Sequence, residues 1–165
     1  MELTFRKPQL DEMPQIMQFY SGAINKMKEE GIDQWDERYP NEEDFEEDIK
    51  KEQLYVGETD QGFASVFVLN QEYDEEYANG EWKEDIFYVV HRLCVNATMQ
   101  AMGIGSKTMD YLENLAAERG AGSIRLDVFS QNKQALRMYE KRGFEKTGEV
   151  HWRKGMFYLM EKKIK

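Results

Sequence analysis

The sequence predicts an α/β fold, and three observations predict it. Strand-like and helix-like segments follow one another in the order βααβββαβαββ, one strand candidate at residues 86–95 is apolar almost throughout, and no repeat, low-complexity tract or linker interrupts the series. A chain of 165 residues that is 41% hydrophobic, with 9 Phe, 9 Tyr and 3 Trp, carries enough apolar surface for one core. A single domain over residues 1–165 is therefore expected.

Each element has a local reason. Residues 3–6 read as a short strand. Residues 10–30 place Met13, Ile16, Met17, Tyr20, Ile24 and Met27 at helical spacing, and Gly31 stops that helix. Asn41 caps a second helix, NEEDFEEDIKKE, whose first-turn carboxylates suit the helix dipole and whose Phe45 and Ile49 face inward. Residues 53–58 and 63–70 alternate as paired strands across a turn at Asp60, Gln61 and Gly62. The polar residues 71–85 read as a loop. Residues 86–95, IFYVVHRLCV, suit a central strand covered on both faces. Met109, Leu112, Leu115 and Ala116 mark a helix over residues 103–119, stopped by Gly120 and Gly122. A strand at residues 123–129, a short helix at 132–142 ended by Gly143, and a hairpin of 144–150 with 156–163 around Lys154 and Gly155 complete the chain.

Composition excludes several function classes. No run reaches the roughly 20 apolar residues that span a bilayer, and the N-terminus lacks the sections of a signal peptide, so a cytoplasmic protein without a membrane partner is expected. One cysteine, Cys94, permits no internal disulfide, and two histidines give no support to a metal site. The net charge of −10 is uneven: residues 1–99 hold 24 acids and 9 bases, residues 100–165 hold 8 and 13. Such acidity argues against nucleic acid, whose binding depends on neutralising phosphates. The acidic half either attracts a cationic substrate or simply keeps the surface solvated.

The densest motif is HRLCVNATMQAMGIGSK, a strand that leads into a glycine-opened helix start. Glycines admit a close ligand, and first-turn N–H groups at the positive end of a helix dipole favour an anion such as phosphate. It is not a dinucleotide fingerprint, because Thr108 stands where a third glycine is needed. Nor is it a P-loop, because Ser106 replaces the glycine before the lysine. Downstream, Asn132, Ala135 and Tyr139 fall on one stripe of the short helix, with Asn132 also able to cap it.

Taken together, QAMGIG and RLDVFSQNKQALRMYEKRGFEKTGE resemble the cofactor motif, and the strand, helix and strand that follow it, of the GNAT superfamily of acyl-CoA N-acyltransferases. The resemblance is close over residues 86–150. It implies a mixed, mostly antiparallel central sheet flanked by helices, with a V-shaped splay between the fourth and fifth strands. It also implies acetyl-CoA as cofactor: backbone groups of Leu93, Cys94 and Val95 would pair with the pantetheine arm, and Gln100, Ala101, Met102, Gly103, Ile104, Gly105 and Ser106 would hold the pyrophosphate. Asn132 would contact the arm, Ala135 would leave room for it, and the Tyr139 hydroxyl would sit near the thioester sulfur.

The implied reaction is direct attack of a primary amine on the thioester, which needs an oxyanion donor, a proton source for sulfur and a base for the amine. A strand N–H near Cys94 is the candidate donor. Tyr139 is the candidate acid, since a phenol with an ordinary pKa near 10 is protonated at neutral pH. His91 is the titratable candidate for the base, set against the alternatives of a buried, hydrogen-bonded histidine and of a water relay to an acid in residues 72–85. Cys94, inside a strand with no acid to orient a base, reads as a small core residue. Trp35, Tyr39 and Trp152 are candidate walls of the acceptor site, or else core aromatics. Asp33, Asp36 and Glu37 beside them could attract an amine, though negative neighbours raise its pKa and hinder deprotonation. The acceptor could be a polyamine-like metabolite, an aminoglycoside, or a peptide N-terminus or lysine, and the family allows a homodimer. The alternative from another class is a non-catalytic acyl-CoA-binding or sensing module.

Overall fold

The computed structural model describes residues 2–36, 38–99 and 102–164, so Glu37, Gln100 and Ala101 lie outside the described residues. The elements are β1 (Thr4–Arg6), α1 (Met13–Glu29), α2 (Glu42–Lys50), β2 (Leu54–Thr59), β3 (Gly62–Asn70), β4 (Phe87–Val95), α3 (Ile104–Glu118), β5 (Ser123–Phe129), α4 (Lys133–Lys141), β6 (Glu145–Trp152) and β7 (Gly155–Lys163). Their order is the expected one. The seven strands form one mixed sheet in the order β1-β2-β3-β4-β5-β7-β6. Strand β4 runs parallel to β5, while β1/β2, β2/β3, β5/β7 and β6/β7 are antiparallel. Chain contacts divide the protein into two units, Met1–Leu69 with Arg92–Leu112, and Asn70–His91 with Glu113–Lys165.

In the first unit, the helix expected from residue 10 begins as a 3-10 turn, Leu10–Glu12, and becomes α-helical only at Met13. Pro14 explains the join: a ring without an N–H is tolerated in the first turn and nowhere later. Helix α2 starts on a reciprocal cap, in which Asn41 Oδ1 accepts from the Asp44 N–H at 3.0 Å and Asp44 Oδ2 accepts from the Asn41 N–H at 2.9 Å. Ile16 and Tyr20 of α1 and Phe45 and Ile49 of α2 pack on Leu54, Val56, Val66 and Val68, with Trp35 and Cys94 in the same cluster. A smaller cluster joins Ala64, Met99 and Ile104 to Leu3 and Val95. Removing these side chains from water is what holds the amphipathic helices on the strands.

In the second unit, β7 lies between β5 and β6, with the β6–β7 turn made by Gly155 at φ +138°, a conformation that side chains resist. Residues 71–85 are not a plain loop, as their polarity suggested. They form a 3-10 turn, Glu75–Asn79, that buries Tyr77, and the Tyr77 hydroxyl donates to Asp127 at 2.6 Å. Aromatic stacking supplies the apolar content that composition hid: Tyr73 on Tyr77 at 6.1 Å and Tyr77 on Trp82 at 5.4 Å.

Strand β4 is likewise less covered than its apolar sequence suggested. Only Val89, Val90 and Cys94 are buried, and Ile86 stays 59% exposed just ahead of it. The reason is the splay. The parallel ladder has three pairs, Phe87 with Ser123, Tyr88 with Ile124 and Val89 with Arg125, whereas β5 continues to Phe129 paired with β7. On α3, Leu115 is half-buried, and Ile104 and Thr108 join Met109, Leu112 and Ala116 on the inner stripe. Among the described residues, no helix is long and apolar enough to cross a membrane and no cluster of His, Cys, Asp and Glu could hold a metal ion.

Candidate active site

The first unit holds the end of β4 and the start of α3. Within β4, Arg92 takes φ +53°, a left-handed conformation that is uncommon for a non-glycine residue and interrupts the pleat of a strand. Regular strand alternation would put His91 and Leu93 on one face, and that alternation stops at Arg92. The turned backbone is gripped from α1 and α2. The Tyr20 hydroxyl donates to the Arg92 carbonyl, Arg92 Nε donates to Asp48 Oδ2 at 3.1 Å, and Arg92 Nη1 donates to the Tyr39 hydroxyl at 2.7 Å. Burial pushes the Asp48 carboxyl above the usual carboxylate range against the pull of Arg92, and burial holds the Tyr20 phenol protonated as a donor.

Leu93 and Val95 are half-buried, and Cys94 is buried with its thiol pushed up to about 12 by burial. Such a thiol is inert at neutral pH, as its place in a strand suggested. Beyond β4, Asn96 ties the chain to β3: its N–H donates to Ala64 O at 2.7 Å and its amide to Phe63 O at 3.0 Å. Gly103 then turns at φ +73° with open space around its Cβ position, and the Lys107 N–H bonds back to Gly103 O at 3.0 Å, closing the first helical turn of α3. Met102, Gly103, Ser106 and Lys107 are exposed around this helix start. A left-handed glycine, first-turn amides and a nearby lysine fit a pyrophosphate group. Gln100 and Ala101, expected in the same cradle, lie outside the described residues.

Trp35, a candidate acceptor wall, is buried edge-on to Tyr20 at 5.6 Å in the core cluster. Tyr39 is 42% exposed and meets Arg92 through its hydroxyl and its ring.

The second unit holds His91 and the stripe on α4. His91 Nε2 lies 2.8 Å from Asn70 Oδ1 and 3.0 Å from the Glu72 carbonyl. Because Asn70 Oδ1 also accepts the Glu72 N–H at 2.9 Å, its identity as an acceptor is fixed, and two acceptors on Nε2 place the ring proton there. Asn132 does cap α4, accepting the Ala135 N–H at 3.2 Å. Ala135 is half-buried, and Tyr139 is buried edge-on to Phe144 at 5.5 Å. Trp152 packs on Phe157 at 5.0 Å.

Sequence reasoning passed over Arg92, Asp48 and Asn70, and reached Glu72 only as one of the acids of residues 72–85. One signal was present: Asp48 sits three residues after Phe45 on the inward stripe of an otherwise solvated helix, and Arg92 sits inside an apolar strand. An acid on an inward stripe and a base inside an apolar strand need one another.

A family profile described as the acetyltransferase (GNAT) family matches residues 21–144. A spermine/spermidine N(1)-acetyltransferase of Bacillus subtilis (strain 168) is 34% identical over 90 residues, 54% of this chain and 55% of that protein. The match thus spans about half the length of that curated relative. Among solved structures, a GNAT-family acetyltransferase from Streptococcus agalactiae 2603 superposes with TM-score 0.84 at 23% identity, covering 98% of this chain and 95% of the other. The yncA protein of Salmonella typhimurium, solved with its cofactor acetyl-CoA, superposes with TM-score 0.70 at 15% identity, covering 99% and 94%. At these identities the structural likenesses establish the fold.

Proposed function

Because the chain belongs to the acetyltransferase (GNAT) family, we propose that it transfers an acetyl group from acetyl-CoA to a primary amine, and that the amine is a polyamine. The observation that carries this reading is the family match over residues 21–144, a range that includes β4, the glycine turn and Asn132, Ala135 and Tyr139. The polyamine choice rests on the Bacillus subtilis relative and on the 24 acids of residues 1–99, which favour a multiply charged cation.

When bound, acetyl-CoA would supply an activated acetyl thioester with a thiolate as its leaving group. Met102, Gly103, Ile104, Gly105 and Ser106, with Gln100 and Ala101, hold the pyrophosphate, and backbone groups of Leu93, Cys94 and Val95 hold the pantetheine arm. Asn132 and Ala135 border that arm. A β4 N–H beside Cys94 donates to the oxygen as it gains charge. Tyr139 Oη gives its proton to the departing sulfur, and His91 accepts the amine proton at Nδ1, since Asn70 and Glu72 hold the proton on Nε2. Tyr39 and Trp152 would line the acceptor, and Trp35 packs edge-on against Tyr20. A cytoplasmic setting and a homodimer complete the reading, the first in accord with the single buried thiol.

The test is release of free CoA from acetyl-CoA with spermidine, spermine and short peptides in competition. Release with the polyamines is expected. Tyr139→Phe should lower kcat by about 10²-fold, the lower part of the range for acid–base groups, with acetyl-CoA affinity nearly unchanged. Binding of acetyl-CoA with no release to any amine would overturn the enzyme and leave the acyl-CoA-binding module.

A further inference from the structure

Arg92 is an unusual residue to find at φ +53° in a strand, and every group around it keeps it so. Its carbonyl takes the Tyr20 hydroxyl of α1, and its guanidinium spans Asp48 of α2 and the Tyr39 hydroxyl. The side chains of Arg92 and Asp48 are 11% and 8% exposed. Stability does not account for this choice, since a buried ion pair is often matched or exceeded by apolar side chains of the same volume. Direction does account for it. The two halves of a trans peptide point opposite ways. With the Arg92 carbonyl drawn out of the strand toward Tyr20, the N–H of the same peptide, that of Leu93, points away from α1.

We propose that Arg92, Asp48, Tyr39 and Tyr20 form a positioning clamp that turns the Arg92–Leu93 peptide so that the Leu93 N–H is the donor to the thioester oxygen. This rests on the transferase reading and sharpens it, assigning the oxyanion contact to one amide and its aim to four side chains that touch no reacting atom for that purpose. Tyr39 also belongs to the acceptor wall, so the clamp links the acceptor loop to the donor strand through a single arginine.

The experiment compares Arg92→Met/Asp48→Leu with the parent protein, using CoA release with spermidine, acetyl-CoA binding by calorimetry, and thermal melting. Removing both charges leaves no unpaired ion. The expected result is a melting temperature near the parent's, acetyl-CoA affinity within about threefold, and kcat lower by about 10²-fold, the scale of a donor misplaced by an ångström. A purely structural clamp would instead leave kcat within threefold of the parent in a folded variant, which overturns the proposal. Should the double variant melt early, Arg92→Lys decides: it keeps the charge opposite Asp48 but loses the fork, and kcat should fall about tenfold at unchanged acetyl-CoA affinity. An unchanged kcat there also overturns the clamp. A parent with no turnover overturns the transferase reading itself, a result separate from loss or retention in the variants.

Discussion

Two largely buried arginine side chains, one in each unit, are held by different physics. Arg92 in β4 is fixed by directional bonds to Asp48 and the Tyr39 hydroxyl. Arg125 in β5 is instead sandwiched between Trp82, 4.5 Å from its ring centre, and Phe87, 3.7 Å. Its Nη2 donates to the Glu84 carbonyl at 2.7 Å, while its Nε is buried without a hydrogen-bond partner, 3.8 Å from Glu161. Glu161 is occupied otherwise, accepting the N–H groups of Lys83 at 2.8 Å and Glu84 at 3.3 Å and the Ser123 hydroxyl at 2.7 Å. Burial lowers the Arg125 pKa, whereas for Arg92 the same burial is outweighed by Tyr39 and Asp48 and the pKa rises. Stacking tolerates sliding and rotation of a planar group; hydrogen bonds to fixed partners do not. Arg92 therefore orients a backbone, and Arg125 fastens residues 71–85 to β5.

The contrast can be broken by mutation. Arg92→Met alone should have the largest effect, about 3–5 kcal/mol in urea melts, because it strands the Asp48 carboxylate in the core. A loss no greater than that of Arg125→Met would erase the distinction. Arg125→Met should lose only about 1–2 kcal/mol, since its stem still fills the slot between Trp82 and Phe87 and Glu161 keeps its other donors. Its kcat should stay within about twofold of the parent, and a larger fall would assign Arg125 a part in positioning too.

A half-exposed pair calibrates both. Arg6 donates to Glu12 at 2.9 and 2.7 Å, and that bond holds the Glu12 carboxyl at about 2 rather than 4.5. The folded pKa lies below the unfolded one, so the stabilisation is complete above pH 4.5 and lost as pH falls toward 2. Glu12→Gln should therefore lower melting, relative to the parent, by less at pH 3 than at pH 7, where the full stabilisation is present. An equal loss at both pH values would show that packing, and not charge, carries the pair.

The parts of the site legible in the sequence are those written within a few residues. Asn41 and Asn132 were readable as caps because a cap bonds to an N–H three positions on. The glycine turn before α3 was readable because only glycine suits φ +73° at low cost. Residues 71–85 were misread because polarity counts say nothing of aromatic stacking. His91 stayed open between base and held residue because its partners, Asn70 and Glu72, are carried to it by the β3 end and not by its own strand.

By itself, then, the sequence determined the element order, the helix ends, the inert Cys94 and the family, since periodicity, capping and motif spacing are short-range properties of the chain. Only the tertiary structure decided that β4 bends at Arg92 and that Asp48, 44 residues away, grips it. A charge in an apolar strand must find its counter-charge in space, and that partner is fixed only when the core closes around both.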